Sequence, residues 1–356
     1  MKILVAIANY GTKNIRFAKE LIREYLSMPF NVEIYVLSEA PKSYGDDVKV
    51  IVGLPSKNPW SLPFVHKKLF AENADNFDLF IYTEDDTLIR TQHILSFLKA
   101  TKTMRSDLIP GFIRYEMHAD GKRNYPDAHR SYHWVPTSID KIGEYSVAHF
   151  TNDHSACYML TRDQLKQAMA SGGYLVEPHE GPYDLICSAG TDPYTQCGFK
   201  RVICFSHLDE FALHHLPNVY LNRLGCCEDD FKLQLHAMAQ IVSGESAVES
   251  LFPTEKAESY SLWNKSYYES IDEELVALIP DGVKKVLSVG SGLGIIESQL
   301  MSLGLDVTCI PLDSIVSLCV ETKGARVVPA SFEKALAVLS GDRFECIILQ
   351  QIIQHL

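Results

Sequence analysis

Short, almost wholly apolar stretches alternate with longer ones in which apolar residues recur every three or four positions. Lys2–Ala8 reads as a strand. Asn14 is placed to cap a helix whose apolar stripe is Ile15, Leu21, Ile22, Tyr25 and Leu26. Val32–Leu37 and Val48–Val52 predict two further strands. A proline-bracketed segment from Pro55 to Pro63 leads into a helix over Phe64–Asn73. The apolar run from Asp78 reads as a buried strand that ends abruptly in three adjacent acids, Glu84, Asp85 and Asp86, with a helix expected from about Thr91. This alternation predicts an α/β fold with a largely parallel sheet and helices on both faces. Ligands of such sheets lie at the carboxyl ends of strands, where both Asn9-Tyr10-Gly11 and the acid triplet fall.

From Met117 to Val147 the periodicity gives way to an irregular, aromatic and histidine-rich insert, expected to be a binding loop or lid. Ser155–Leu160 predicts a strand and Arg162–Ala170 a helix ended by Gly172-Gly173. Arg201–Phe205 is another strand pattern, followed by His214-His215-Leu216-Pro217. A Ser- and Glu-containing stretch then reads as a linker, which divides the chain into residues 1–245, a linker over 246–262, and a second unit over 263–356. In that unit Ile271–Ile279 is helical, and Lys285–Gly290, Asp306–Ile310, Arg326–Val328 and Glu345–Leu349 are strands. These amount to about half of a doubly wound domain, so the expectation is a truncated unit.

Composition narrows the classes. The hydrophobic content of 46% and charged content of 22% suit a globular chain of two domains. A formal net charge of -12 argues against nonspecific binding to nucleic acid or to an anionic membrane. No apolar run approaches the roughly 20 residues that span a bilayer. Nine cysteines, mostly within apolar stretches, read as buried thiols of a reducing cytoplasm. The expected location is cytoplasmic, with peripheral membrane association only through a substrate.

The acid triplet carries the chemistry. Adjacent carboxylates at a strand end repel one another and lose hydration, so they call for a cation. Mg²⁺ or Mn²⁺ suits such oxygens because it keeps waters and takes phosphate oxygens as further ligands. The plain alternative is a solvated turn capping the next helix.

In its order of elements the first unit resembles the GT-A glycosyltransferases, with Glu84-Asp85-Asp86 in the place of their Asp-x-Asp motif. The resemblance implies a nucleotide-binding sheet and transfer of a hexosyl or deoxyhexosyl group from a nucleotide sugar, with a uridine diphosphate sugar the first choice, to a glycan acceptor. It implies Asp86 as the firmest metal ligand, assisted by Glu84 or Asp85, and His215 or His214 closing the metal site. Tyr10 would stack on the base, and Asn9, Thr12, Asp85 and Lys67 (or Lys68) would contact base or phosphates. In inverting members the base is an acid at a helix start, where Asp184 is first choice and Glu180 second; either is otherwise a simple helix cap. Asp153, His154, Arg114 and Glu116, with Tyr115, Tyr132 and Trp134, are implied donor or acceptor contacts.

In the second unit, Gly290, Gly292 and Gly294 follow a strand and open a helix. With Trp263, Tyr267-Tyr268-Glu269 and Gln350–Leu356 they make the unit resemble the first part of a Rossmann-like, class I S-adenosylmethionine-dependent methyltransferase. Pro311 stands where that family ends its second strand in an acid, so cofactor binding is expected only in a complete domain. The leading expectation is a glycosyltransferase of polysaccharide biosynthesis. One alternative is a methyltransferase whose first unit only binds glycan; another is a carbohydrate-binding scaffold.

Overall fold

A computed structural model describes residues 1–247, 266–330 and 332–353. The first elements are β1 (Lys2–Ala8), α1 (Ile15–Ser27), β2 (Asn31–Ser38), β3 (Val48–Val52), α2 (Val65–Glu72), β4 (Leu79–Glu84), β5 (Thr87–Leu88) and α3 (Thr91–Thr101). There follow β6 (Leu108–Gly111), β7 (Ile113–Met117), β8 (Arg123–Tyr125), β9 (Asp140–Ile142), β10 (Tyr145–Val147), β11 (Cys157–Thr161), α4 (Arg162–Ala170) and α5 (Leu185–Thr195). Next come β12 (Lys200–Ile203), α6 (Leu208–Phe211), β13 (Ala212–His215), β14 (Cys226–Cys227), α7 (Glu228–Ser243) and α8 (Glu273–Ala277). The chain continues through β15 (Lys285–Ser291), α9 (Ile295–Ser302), β16 (Asp306–Pro311), α10 (Leu318–Thr322), β17 (Arg326–Val327), α11 (Phe332–Val338) and β18 (Cys346–Ile348).

Packing groups these into two units. One comprises Met1–Gly121, Ile142–His149 and Asp153–Val219; the other comprises the described parts of Lys122–Lys141, Phe150–Asn152 and Tyr220–Leu356. Most of the expected linker, with Trp263 and Gln354–Leu356, lies outside the described residues.

The first unit is built on a sheet ordered β11-β4-β1-β2-β3. Four of its strands are parallel, and β11 joins β4 antiparallel at the edge. Ile3, Leu4, Val5 and Ile7 of the central strand have no exposed surface. Each stabilises the fold by about 1.5–3 kcal/mol, which is why this strand reads as an unbroken apolar run. The amphipathic helix α1 buries Ala18, Leu21, Ile22 and Tyr25. The strand expected to end at the acids does so, as β4, and a short second strand, β5, follows them. The chain leaves the sheet after Glu84, and β5 pairs instead with β13, which runs parallel to β7.

The second unit holds a four-stranded parallel sheet ordered β17-β16-β15-β18. Its two faces alternate as strand geometry requires: Val286, Val307 and Cys309 pack with Ile296 and Leu300, while Leu287, Val289 and Ile310 pack with Ala335 and Leu339. The insert is less irregular than its sequence suggests, since it contains β8 and β9 and hands on to β10. Its aromatic residues form core: Trp134 is wholly buried, and Tyr125 stacks on Phe231 at 4.2 Å. Trp134 therefore presents no face to a sugar ring. Among the described residues, no helix is long and apolar enough to cross a membrane.

Candidate functional site

The acid triplet sits where three parallel strands end together. Register pairs Ala8 with both Leu37 and Glu84, so the residues just beyond, Asn9, Glu39 and Asp85, converge. Asn9 is wholly buried, and its amide donates to Asp85 Oδ2 at 2.5 Å. Its own Oδ1 accepts from Lys42 Nζ at 2.9 Å and from the Tyr44 hydroxyl at 2.5 Å. Lys42 also bonds Glu39, whose other oxygen accepts from the Gly11 amide. Tyr10 stands at the mouth of this crevice, 53% exposed.

Asn14, expected to cap α1, makes no side-chain capping bond. Its amide reaches across to the triplet and donates to Asp85 Oδ1 at 2.8 Å and Asp86 Oδ2 at 3.0 Å. Turning the amide toward two carboxylates gives charge-assisted hydrogen bonds, which are the stronger kind, in place of the capping bond its oxygen would accept from the helix backbone. Asp85 is thus gripped by two amides, and burial together with the Asp86 charge still raises its pKa to about 6. Burial, with Asp86 and Asp85 beside it, raises Glu84 to about 7, while the Arg114 charge opposes the rise. Glu84 Oε1 lies 3.9 Å from His154 Nε2.

Asp86 closes the site from the other sheet. Its Oδ2 faces His215 Nε2 at 3.6 Å, and its Oδ1 is buried without a hydrogen-bond partner among the described residues. His215 arrives there by register, opposite Thr87, and its Nδ1 bonds Glu116 Oε1 at 2.7 Å. Glu116 has no exposed surface, so it does not face an acceptor as expected; it orients the histidine from behind. The neighbouring His214 points the other way, stacked on Tyr115 at 5.2 Å.

Burial draws the His215 pKa down, but its bonds to Asp86 and Glu116 outweigh that and raise it to about 9. A raised histidine contributes stability that is complete below its unfolded pKa and lost as pH climbs through the folded one. Melting of the metal-free protein is therefore expected at falling temperature from about pH 7 to 9, with the fall reduced in His215→Gln. Equal slopes for the two proteins over that window would refute the pairing.

The remaining expected residues are dispersed. Lys67 does not reach a phosphate: its ammonium is buried against Asp192 and lies 4.4 Å from the centre of the Phe64 ring. Lys68 is a solvated partner of Glu72 at 3.7 Å. Thr12 is an exposed turn residue whose carbonyl accepts from the Ile15 amide. Asp184 caps α5, accepting from the Cys187 amide at 2.9 Å, and Glu180 is exposed. Burial and then the charges of Glu84 and Asp184 push the Cys187 thiol up. Asp153 keeps a buried Oδ1 without a partner, and burial raises its pKa despite the charges of His149 and Arg201. Sequence reasoning missed Lys42, Tyr44 and the true role of Asn14. The signal available was their position just past strand ends.

Among the described residues, no three His, Cys, Asp or Glu side chains are already arranged to hold a metal ion. What the site does contain is one partnerless carboxylate oxygen and one histidine aimed at the same carboxylate.

No family model matches the chain, and no curated protein matches it. Among solved structures it is similar to the crystal structure of a glycosyltransferase involved in the glycosylation of the major capsid of PBCV-1. The identity is 12%, the match covers 63% of this chain and 97% of that one, and the TM-score is 0.30. At that score neither fold nor activity is carried over.

Proposed function

We propose that the first unit is a metal-dependent glycosyltransferase that takes a sugar from a nucleoside diphosphate donor, a uridine diphosphate sugar by first choice, to a glycan acceptor. The observation that supports this best is the buried, partnerless Oδ1 of Asp86, beside His215 and at the carboxyl ends of parallel strands. A carboxylate oxygen deprived of both water and donor calls for a cation. Asp86 and His215 would hold Mn²⁺ or Mg²⁺, with Glu84 next to them. Such ions often take only one or two protein ligands and fill the rest from water and phosphate.

Bound there, the ion would neutralise the charge that develops on a leaving diphosphate. The chain's own residues have separate tasks. Asn9 and Asn14 hold Asp85 in place, Glu116 holds the His215 ring, and exposed Tyr10 offers a face to a base. Asp184, exposed at the start of α5, would accept the proton of the attacking hydroxyl.

The test is a thermal-shift series on the intact chain with uridine, guanosine, adenosine and cytidine diphosphates, each with and without Mn²⁺. One nucleotide should raise the melting temperature strongly with Mn²⁺ and little without it, because only the pair completes the site. A shift that is the same with chelator present would sink the metal-dependent reading.

A further inference from the structure

The glycine turn of the second unit invites an S-adenosylmethionine reading, yet its cradle is already filled by the chain itself. Leu293 N donates to Tyr267 O at 2.7 Å, and Tyr267 N donates to Arg130 O at 2.6 Å. A Cβ at Gly292 would stand 2.3 Å from Tyr267 O and 2.8 Å from its Cα. Gly292 has no left-handed backbone angle, so this close approach is the reason for a glycine there. The flanking glycines face their own chain too. A Cβ at Gly290 would lie 3.0 Å from Ile352 Cγ1, and one at Gly294 would lie 2.8 Å from Val320 Cγ2.

The second anchor of such a cofactor is also missing. β16 ends in Pro311 where an acid would hold ribose hydroxyls, and Asp313, buried further on, accepts from the amides of Ile315 at 2.9 Å and Val316 at 2.7 Å. Two buried hydroxyls, Ser291 and Ser314, have no hydrogen-bond partner among the described residues. The turn Gly290–Gly294 itself carries no charged side chain to pair with the ammonium or the carboxylate of the cofactor's amino-acid end.

We propose that the turn Gly290–Gly294 is a socket for the main chain of Tyr267, fastening that segment and Arg130 to the C-terminal sheet, and that it binds no S-adenosylmethionine. The Tyr267 ring is 1% exposed and packs edge-on to His133 at 5.4 Å, so the side chain anchors what the backbone bonds begin. This inference is independent of the glycosyltransferase reading, since its groups lie in the other unit.

The experiment uses the intact chain with S-adenosylhomocysteine and S-adenosylmethionine, each at about 1 mM, read by thermal shift and by amide hydrogen exchange. The expected result is no change in melting temperature with either compound, and slow exchange at Leu293 without any ligand. Gly292→Ala should lower the melting temperature and speed Leu293 exchange roughly tenfold or more, because its Cβ displaces Tyr267. A ligand-induced rise in melting temperature would overturn the proposal. So would fast exchange at Leu293 in the unsubstituted protein, a reading that needs no variant to fold.

Discussion

On the proposed function, replacing Asp86 with asparagine is expected to lower sugar transfer by about 10²–10³-fold while changing the stability of the protein little. The two effects come from one arrangement. Asp86 adds negative charge beside Glu84 and Asp85, whose pKa values burial and that charge raise to about 7 and about 6. Neutralising it removes repulsion from a desolvated site, and such relief commonly stabilises a fold at the expense of activity. The shape of the side chain is kept, and the backbone carbonyl that accepts from Leu216 is untouched. Against this relief stands the loss of the ion pair with His215, which keeps Glu116 as a partner. Measured transfer rates and melting temperatures, with and without Mn²⁺, check both halves. If transfer persists undiminished in the variant, Asp86 has no part in the chemistry.

The second large effect is expected far from the triplet. Asp192 has no exposed side-chain surface, and it receives both the Lys67 ammonium and His179 Nε2, the latter at 3.1 Å. Burial lowers the Lys67 pKa and Asp192 opposes that fall, so the lysine depends on this partner to stay charged. Asp192→Ala strands the ammonium inside the protein and is expected to cost about 3–5 kcal/mol. In a domain of this size that is a drop of roughly 2–4 °C for each kcal/mol. The double replacement Lys67→Met with Asp192→Leu should recover most of the loss, because exchanging a whole buried pair for apolar side chains is close to neutral. Chemical denaturation of the single and double variants measures both. A single variant as stable as the parent protein would mean that the pair contributes nothing.

These two sites differ in how far they were legible. The triplet announces itself because charge at the end of an apolar run is a local pattern, and β4 ends at Glu84 just where the acids begin. The opposed directions of His214 and His215 also follow from strand geometry, whatever the partners. Lys67 misled for the converse reason. A lysine on a short helix looks solvated, and only the approach of α5, 125 residues further on, removes it from water. Asn14 misled in the same manner: its place before a helix is a capping pattern, yet its bonds reach residues 71 and 72 positions away. Trp134 and Glu116 look like sugar contacts in sequence and turn out to be core.

By itself, then, the sequence determined the strands and helices of the parallel sheets, their α/β order, and the concentration of carboxylates at one strand end, but not the short strands of the insert and of the second sheet of the first unit. Each of these follows from interactions over a few residues, where side-chain periodicity and propensity decide. The tertiary structure alone decided which of those carboxylates is gripped by amides and which oxygen of Asp86 is left without a donor. It also decided that Glu116 stands behind His215, and that the glycine turn closes on Tyr267. Those outcomes depend on which distant groups compete for one buried partner, and that competition begins only after the chain has folded.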